Sequence, residues 1–280
     1  MKCAVLSDIH GNLRAFEAVL ADAKASGADS IIFLGDLIFM GLDPQLCYDL
    51  LMEQKPIVAI KGNTDENLEH IAELSGTSSK EEHLLKLIKY AHIRMHEQAK
   101  KHLATLPTVK RMELEGLSVL CCHGTPYSVD EGIYQNQPFS PAFAKQLSDE
   151  KVELVLSGHT HIHADFVRNG IRFINPGAVG YSFDGDVRAS YALLSLSDGS
   201  VQCKIRRVEY DIKRYQMEVE HAMEEGIIFK FLTNPIEITA DENRFVGGIT
   251  CVEMELGEPD ASGRRRPIVK EGSECNIPVD

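Results

Sequence analysis

The sequence predicts an α/β protein, a four-layered α/β/β/α sandwich with an inserted helical cap. Three observations carry that reading. Up to residue 60, short apolar runs alternate with amphipathic stretches. Residues 66–106 are charge-rich, with helical periodicity and no strand signal. The second half is a series of short apolar runs joined by turn dipeptides.

Cys3 to Ser7 reads as a buried strand. Asn12 to Ser26 carries Leu13, Phe16, Val19 and Leu20 at helical spacing, and Gly27 stops it. Ile31 to Leu34 is a second strand. Pro44 to Glu53 is a helix with Asp43 at the N-cap and Pro44 at the first helical position. Ile57 to Ile60 is a third strand, and the strand–helix order makes these strands parallel. Beyond the helical insertion, Arg111 to Leu114 and Leu117 to Cys121 form a hairpin about Glu115-Gly116. Phe139 to Ser148 is a helix and Leu154 to Ser157 a strand. Ala164 to Arg168 pairs with Ile171 to Ile174 about Asn169-Gly170, and Tyr191 to Leu196 with Val201 to Val208 about Asp198-Gly199. The second half is thus expected to be mainly antiparallel, with two sheets face to face between helices.

The chain has 280 residues, 44% of them hydrophobic and 25% charged, which excludes disorder as the dominant state. With 29 basic against 42 acidic residues the formal charge is −13, a field that repels nucleic acid and anionic membrane. No apolar run approaches a membrane span, and the opening residues do not read as a secretory signal. Seven cysteines without a CxxC suit a reducing cytoplasm, with Cys121 and Cys122 as buried small hydrophobes. One domain is expected over 1–234, with the cap at about 66–106. Residues 235–280 form a C-terminal extension in which Val246 to Met254 can make a strand, while Gly257 to Gly263 and Arg264-Arg265-Arg266-Pro267 read as solvated tail.

Polar residues cluster where strands end. Asp8 and His10 follow the first strand, Asp36 the second and Asn63 the third. His123 follows the Leu117 strand, and His159 and His161 follow Leu154 to Ser157. Ligands sit at the carboxyl ends of strands in open α/β sheets. Seven such groups exceed the four of a mononuclear tetrahedral site and point to two metals sharing a bridging carboxylate. Imidazole with carboxylate, without thiolate, suits Mn, Fe, Zn, Co or Ni. Two divalent ions less two aspartates leave a cationic site in an acidic protein, a trap for phosphate.

The ordered set Asp8-x-His10, Gly35-Asp36, Gly62-Asn63, His123-Gly124 and Gly158-His159-x-His161 resembles the calcineurin-like metallophosphoesterase superfamily. Ser7 to Leu13, Gly41-Leu42-Asp43-Pro44, Asn175 to Gly180 and Asp184 to Tyr191 resemble its bacterial branch related to diadenosine tetraphosphatase and PP2A-like phosphoesterases. The resemblance covers roughly residues 1–230. It implies that Asp8, His10, Asp36 and His161 hold one divalent or trivalent transition ion, that Asp36 bridges, and that Asn63, His123 and His159 complete the second. It also implies a metal-bridging hydroxide as nucleophile, with Asp36, Asn63 and His123 as catalytic residues.

Protein phosphatases of the superfamily read G-D-x-x-D-R-G and G-N-H-E. Here Phe39 and Met40 stand at the Asp and Arg positions, and Thr64 at the histidine. The pair that protonates the leaving group is therefore missing, which favours small phosphate esters, phosphodiesters or dinucleoside polyphosphates over phosphoproteins. A phosphorylated small molecule or nucleotide is the expected partner. The alternatives are a serine/threonine-type protein phosphatase and a non-catalytic scaffold of the same fold. Asp65 either orients a ligand or caps the next helix. His83, His92, His96 and His102 are candidates for a substitute acid. His163 reads as a hydrogen-bonded or solvated histidine and Arg188 as half of a structural ion pair.

Overall fold

The computed structural model describes residues 1–66, 68, 79–224, 233–240, 246–259, 265–269, 271–273 and 275–278. The chain starts as β1 (Lys2–Leu6), α1 (Leu13–Ala25), β2 (Ser30–Phe33), α2 (Pro44–Glu53) and β3 (Val58–Ala59). Helices α3 (Asn63–Glu66), α4 (Ser79–Arg94) and α5 (Glu97–Thr105) follow. Then come β4 (Val109–Leu114), β5 (Leu117–Cys122), α6 (Pro141–Asp149), β6 (Leu154–Leu156), β7 (Ala164–Arg168) and β8 (Ile171–Asn175). The long hairpin β9 (Ala189–Ser197) and β10 (Ser200–Val208) precedes α7 (Ile212–Glu224).

Two mixed sheets result, in the orders β10-β9-β1-β2-β3 and β4-β5-β6-β8-β7. In the first, β1, β2 and β3 are parallel, as their helical crossovers require. The expectation of a mainly antiparallel second half is corrected in part: β6 lies parallel to both β5 and β8. Helix α6 connects β5 to β6, and a crossover of that length returns the chain in the same direction. The three expected hairpins are antiparallel, and Glu115, Asn169 and Asp198 take φ of 48°, 53° and 48°, the left-handed start of a type I′ turn.

Residue alternation sets the layers. Ala4 and Leu6 face the α1/α2 side with Phe16, Val19 and Leu51, whereas Cys3 and Val5 face the second sheet with Val119, Cys121, Leu154 and Leu156. Leu120 and Cys122 point the other way, onto Phe143 and Leu147 of α6. Adjacent Cys121 and Cys122 thus sit in two different cores, and burial pushes the Cys122 thiol up to about 12. The order helix, sheet, sheet, helix is the four-layered sandwich. Ala91, Met95, Ala99 and Leu103 of the inserted helical stretch belong to the same core as α1 and α2.

Asn12 caps α1 by accepting from the Ala15 N–H at 3.1 Å. Asp43 occupies the N-cap of α2 but makes no side-chain cap bond; Pro44 leaves one fewer donor to satisfy there. Near the C-terminus, β11 (Thr233–Ala240), β12 (Val246–Pro259), β13 (Arg265–Val269) and β14 (Cys275–Pro278) form a separate sheet. Arg265, Arg266 and Pro267, expected as solvated tail, lie in β13, which pairs antiparallel with β12, because ladder bonding to a neighbour outweighs local composition. Asp260 to Arg264 of that expected tail lie outside the described residues, as do 67 and 69–78 of the expected cap. Among the described residues no helix is long and apolar enough to cross a membrane.

Leu34 is fully buried between the sheets, directly beyond β2. Leu34→Ala is expected to lower the unfolding free energy by about 2–5 kcal/mol in urea titration; a change below about 1 kcal/mol would contradict a tight inter-sheet core.

Candidate metal centre

The parallel strands of both sheets present their carboxyl ends to one rim. The chain turns sharply there, and Asp8, His10, Asp36, His159 and His161 have φ of 56°, 50°, 60°, 67° and 56°. Left-handed backbone is costly for non-glycine residues and clusters where function over-determines it. These turns are locked by main-chain bonds: Asp8 N–H to the Gly35 carbonyl (3.0 Å), His10 N–H to Asp36 (3.0 Å), and Gly180 N–H to Asp8 (2.9 Å). Gly35 and Gly62 have no room for a side chain. A Cβ on Gly35 would lie 2.5 Å from Gly62 N, and one on Gly62 would lie 2.0 Å from Asp36 Oδ1.

All seven predicted residues are brought together. Asp8, His10, Asp36 and His161 offer ligand atoms within 4.8 Å of one another, and all four are buried. Asp8 Oδ1 is 3.2 Å from His161 Nε2 and 3.8 Å from His10 Nε2. Asp36 Oδ2 lies between two groups, 3.7 Å from His10 Nε2 and 3.3 Å from His123 Nε2. Asn63 Oδ1 is 3.1 Å from His123 Nε2 and 3.2 Å from His159 Nδ1.

Three of the imidazoles are oriented from behind by main-chain carbonyls. His10 Nδ1 donates to Ile38 (3.0 Å), His123 Nδ1 to Leu34 (2.8 Å) and His161 Nδ1 to Tyr181. Each Nε2 is thereby an acceptor in the neutral ring. Yet His10 Nε2 and His161 Nε2 stand 3.0 Å apart, and Asp8 Oδ1 is buried with no hydrogen-bond partner. Neutral rings and carboxylates crowded this way repel unless a cation lies among them. The residues therefore fit a bound metal, and imidazole, carboxylate and amide oxygen suit a first-row transition ion.

Without a metal, protons fill that role. Burial opposes charge on His123, but Asp36 and Asp8 retain its proton up to about 10. Burial likewise opposes charge on His161, and Asp8 overcomes it to raise that pKa as well. Burial also resists ionisation of Asp8 and Asp36, but the neighbouring imidazoliums, of His161 and His123 respectively, hold both below the usual carboxylate range.

Of the two roles expected for Asp65, its bonds are those of an orienting group and not of a helix cap. Its carboxylate accepts from the N–H groups of Asp36 (2.8 Å), Leu37 (3.0 Å), Ile38 (3.3 Å) and Gly62 (3.0 Å), tying the loop after β2 to the loop after β3. Burial and then the Asp36 charge push it up to about 7, against those donors. Thr64 turns its hydroxyl to the Ile38 carbonyl at 3.0 Å, and its N–H supports Asp36 Oδ1 at 3.0 Å. Among the cap histidines, His92 accepts from Lys100 Nζ (3.1 Å), His102 Nδ1 pairs with the Tyr48 hydroxyl (2.8 Å), and His96 is the N-cap residue of α5. The His83 side chain lies outside the described residues. His163 bonds Asp184 and Arg188 pairs with Asp186, both as expected. The orienting carbonyls carry no side-chain signature and were invisible to sequence reasoning. Phe183, whose ring stacks on His161 at 4.2 Å and 13°, was also missed, although an aromatic in a Ser/Gly/Asp-rich loop is a readable anomaly.

Comparison with known proteins gives three kinds of match. The model of the calcineurin-like phosphoesterase superfamily domain matches residues 1–199. An uncharacterised protein of Methanocaldococcus jannaschii is 29% identical over 246 residues, which is 80% of this chain and 94% of that protein. A crystal structure of a metallophosphoesterase from Sphaerobacter thermophilus aligns with a TM-score of 0.62 at 28% identity, covering 80% of this chain and 95% of that one. The glutamate synthase (NADPH) small chain of Escherichia coli is 34% identical over 152 residues, which is 54% of this chain and 29% of that protein. The match thus spans less than a third of that small chain.

The proton-filled site sets a pH dependence. His123 and His161 both have pKa values raised above the unfolded value near 6.5, so their stabilisation is complete below that pH and lost as pH rises, for His123 toward about 10. Chelator-stripped protein is therefore expected to lose melting temperature between pH 7 and 10, more steeply than protein loaded with manganese. Parallel slopes in scanning calorimetry would contradict a shared proton and metal site.

Proposed function

The chain belongs to the calcineurin-like phosphoesterase superfamily, and from that premise we propose that it is a metal-dependent hydrolase of small phosphate esters, phosphodiesters or dinucleoside polyphosphates. The observation that supports this most is the position of Asp36 Oδ2, within 3.7 Å of His10 and 3.3 Å of His123, where one carboxylate serves two groups of ligands. In this reading Asp8, His10, Asp36 and His161 hold one ion, and Asp36, Asn63, His123 and His159 hold the other. Mn, Fe, Zn, Co or Ni bound there would supply Lewis acidity, lowering the pKa of water toward neutrality and offsetting phosphate charge. The relative from Sphaerobacter thermophilus, a metallophosphoesterase, supports the same reaction class.

The chain's own residues define the rest. Asp65 fixes the Asp36 and Asn63 loops to each other, so the ligand spacing does not depend on the metal alone. The main-chain carbonyls hold His10, His123 and His161 with Nε2 toward the rim. Thr64 is committed to Ile38 and offers no acid, while Phe39 and Met40 bring neither carboxylate nor guanidinium. An alkoxide of serine or threonine leaves poorly without a proton donor; a phosphate, nucleotide or phenolate leaves with less help. That argues for small substrates and against a serine/threonine protein phosphatase. A non-catalytic scaffold is disfavoured because all seven donors persist and converge.

With added manganese, the protein is expected to release product from p-nitrophenyl phosphate, its bis ester or a dinucleoside polyphosphate, and to work poorly on a phosphothreonine peptide. The reverse preference would overturn the substrate reading. Asp36→Asn is expected to lower kcat/KM by roughly three orders of magnitude and to cut the bound metal measured by elemental analysis. A variant that stays active and fully loaded would remove the bridging role.

A further inference from the structure

Phe183 is one of the exposed large apolar side chains of the molecule, with 58% of its surface open to solvent. Its place is unusual. One face lies flat on the His161 imidazole, with ring centroids 4.2 Å apart and planes at 13°. Tyr181 meets its edge at 5.2 Å and 81°. The opposite face is what remains for the 58% exposure.

The loop that carries the ring is fastened on every side. Gly180 N–H bonds the Asp8 carbonyl (2.9 Å), and the Asn12 amide bonds the Gly180 carbonyl (3.1 Å). Phe183 N–H reaches the His161 carbonyl at 3.3 Å. Just beyond, Asp184 accepts from the Ser182 hydroxyl (2.8 Å) and the Asp186 N–H (3.0 Å), and pairs with Arg207 and His163. The ring is therefore presented by a rigid frame and does not fold down onto the sandwich, although burying it would be favourable. A preorganised aromatic face beside a cation site has an obvious use: it stacks a flat ring at little entropic cost.

We propose that Phe183 is a specificity platform, on whose outer face the nucleobase of a nucleotide-type phosphoester stacks while its phosphate sits at the Asp/His cluster. This rests on the phosphoester hydrolase reading above and narrows its substrate class. The geometry suits it. A ring laid on Phe183 at a stacking separation of about 4.5 Å sits roughly 9 Å along the stack from His161, comparable to the span of one nucleotide. Each nucleobase presents a π-face, so the platform selects for an aromatic group without selecting one base. A sugar phosphate that lacks the base finds the same cation site but not the stack.

The test compares adenosine 5′-monophosphate with ribose 5-phosphate, which differ by the base alone. Both are titrated calorimetrically into manganese-loaded protein, and hydrolysis of p-nitrophenyl phosphate and its bis ester, whose phenolates leave without an acid, is followed in parallel. The unmutated protein is expected to bind the nucleotide about tenfold more tightly, within the range that one stacked base provides. Phe183→Ala is expected to bring the nucleotide's affinity down to that of the sugar phosphate, and Phe183→Trp to keep the preference. Equal affinities in the unmutated protein overturn the platform, as does a Phe183→Ala variant that weakens both compounds alike, which would mark the ring as a brace for His161. A tenfold preference without hydrolysis of p-nitrophenyl phosphate or its bis ester supports the platform and counts against the hydrolase reading, so the two failures are distinct.

Discussion

The lone pairs of His10 Nε2 and His161 Nε2 face each other across 3.0 Å because the far nitrogen of each ring is engaged by a main-chain carbonyl. That crowding of acceptors is the constraint on which the rim depends. Two aspartates that burial alone would neutralise stand against the same imidazoles, and the cluster is electrostatically coherent only when positive charge lies within it. The fold meets the demand by placing strand ends of two sheets opposite each other. Left-handed turns then aim side chains inward while main-chain bonds hold the turns in place.

Much of this was legible in the amino-acid sequence. The strands β1, β2 and β3 and the helices between them follow from apolar runs and caps, and the three hairpins follow from Glu-Gly, Asn-Gly and Asp-Gly at their turns. The seven polar groups were visible because each stands directly after a strand, and chain direction puts them on one rim. The parallel pairing of β6 was missed, since three buried apolar residues, Leu154 to Leu156, carry no periodicity that could report direction. The β13 pairing was missed because Arg265 and Arg266 read as a polar tail, and strand pairing is a tertiary property. Asp65 was left open between two roles because its partners are N–H groups, which every residue but proline shares.

The departures from the protein-phosphatase pattern have a physical coherence of their own. Thr64 spends its hydroxyl on the carbonyl of Ile38, the same carbonyl that orients His10, and its N–H steadies Asp36. Phe39 and Met40 keep left-handed backbone, with φ of 88° and 70°, while supplying no charge. The seven proposed ligands are thus all present, and the position where the family's proton donor would stand makes structural contacts instead. In the hydrolase proposed above, the acidity of the leaving group would have to come from the substrate, which would favour phosphates, nucleotides and phenolates.

The hold that carbonyls of Leu34, Ile38 and Tyr181 exert on three imidazoles has a longer reach. A carbonyl is supplied by the peptide bond whatever residue occupies the position, so the aim of these rings is indifferent to the identity of their supports. Sequences can drift around such a centre, exchanging leucine for valine or tyrosine for glutamine, while the rings keep their pose. The pose of the three imidazoles is thereby uncoupled from the side chains of the residues that stand behind them.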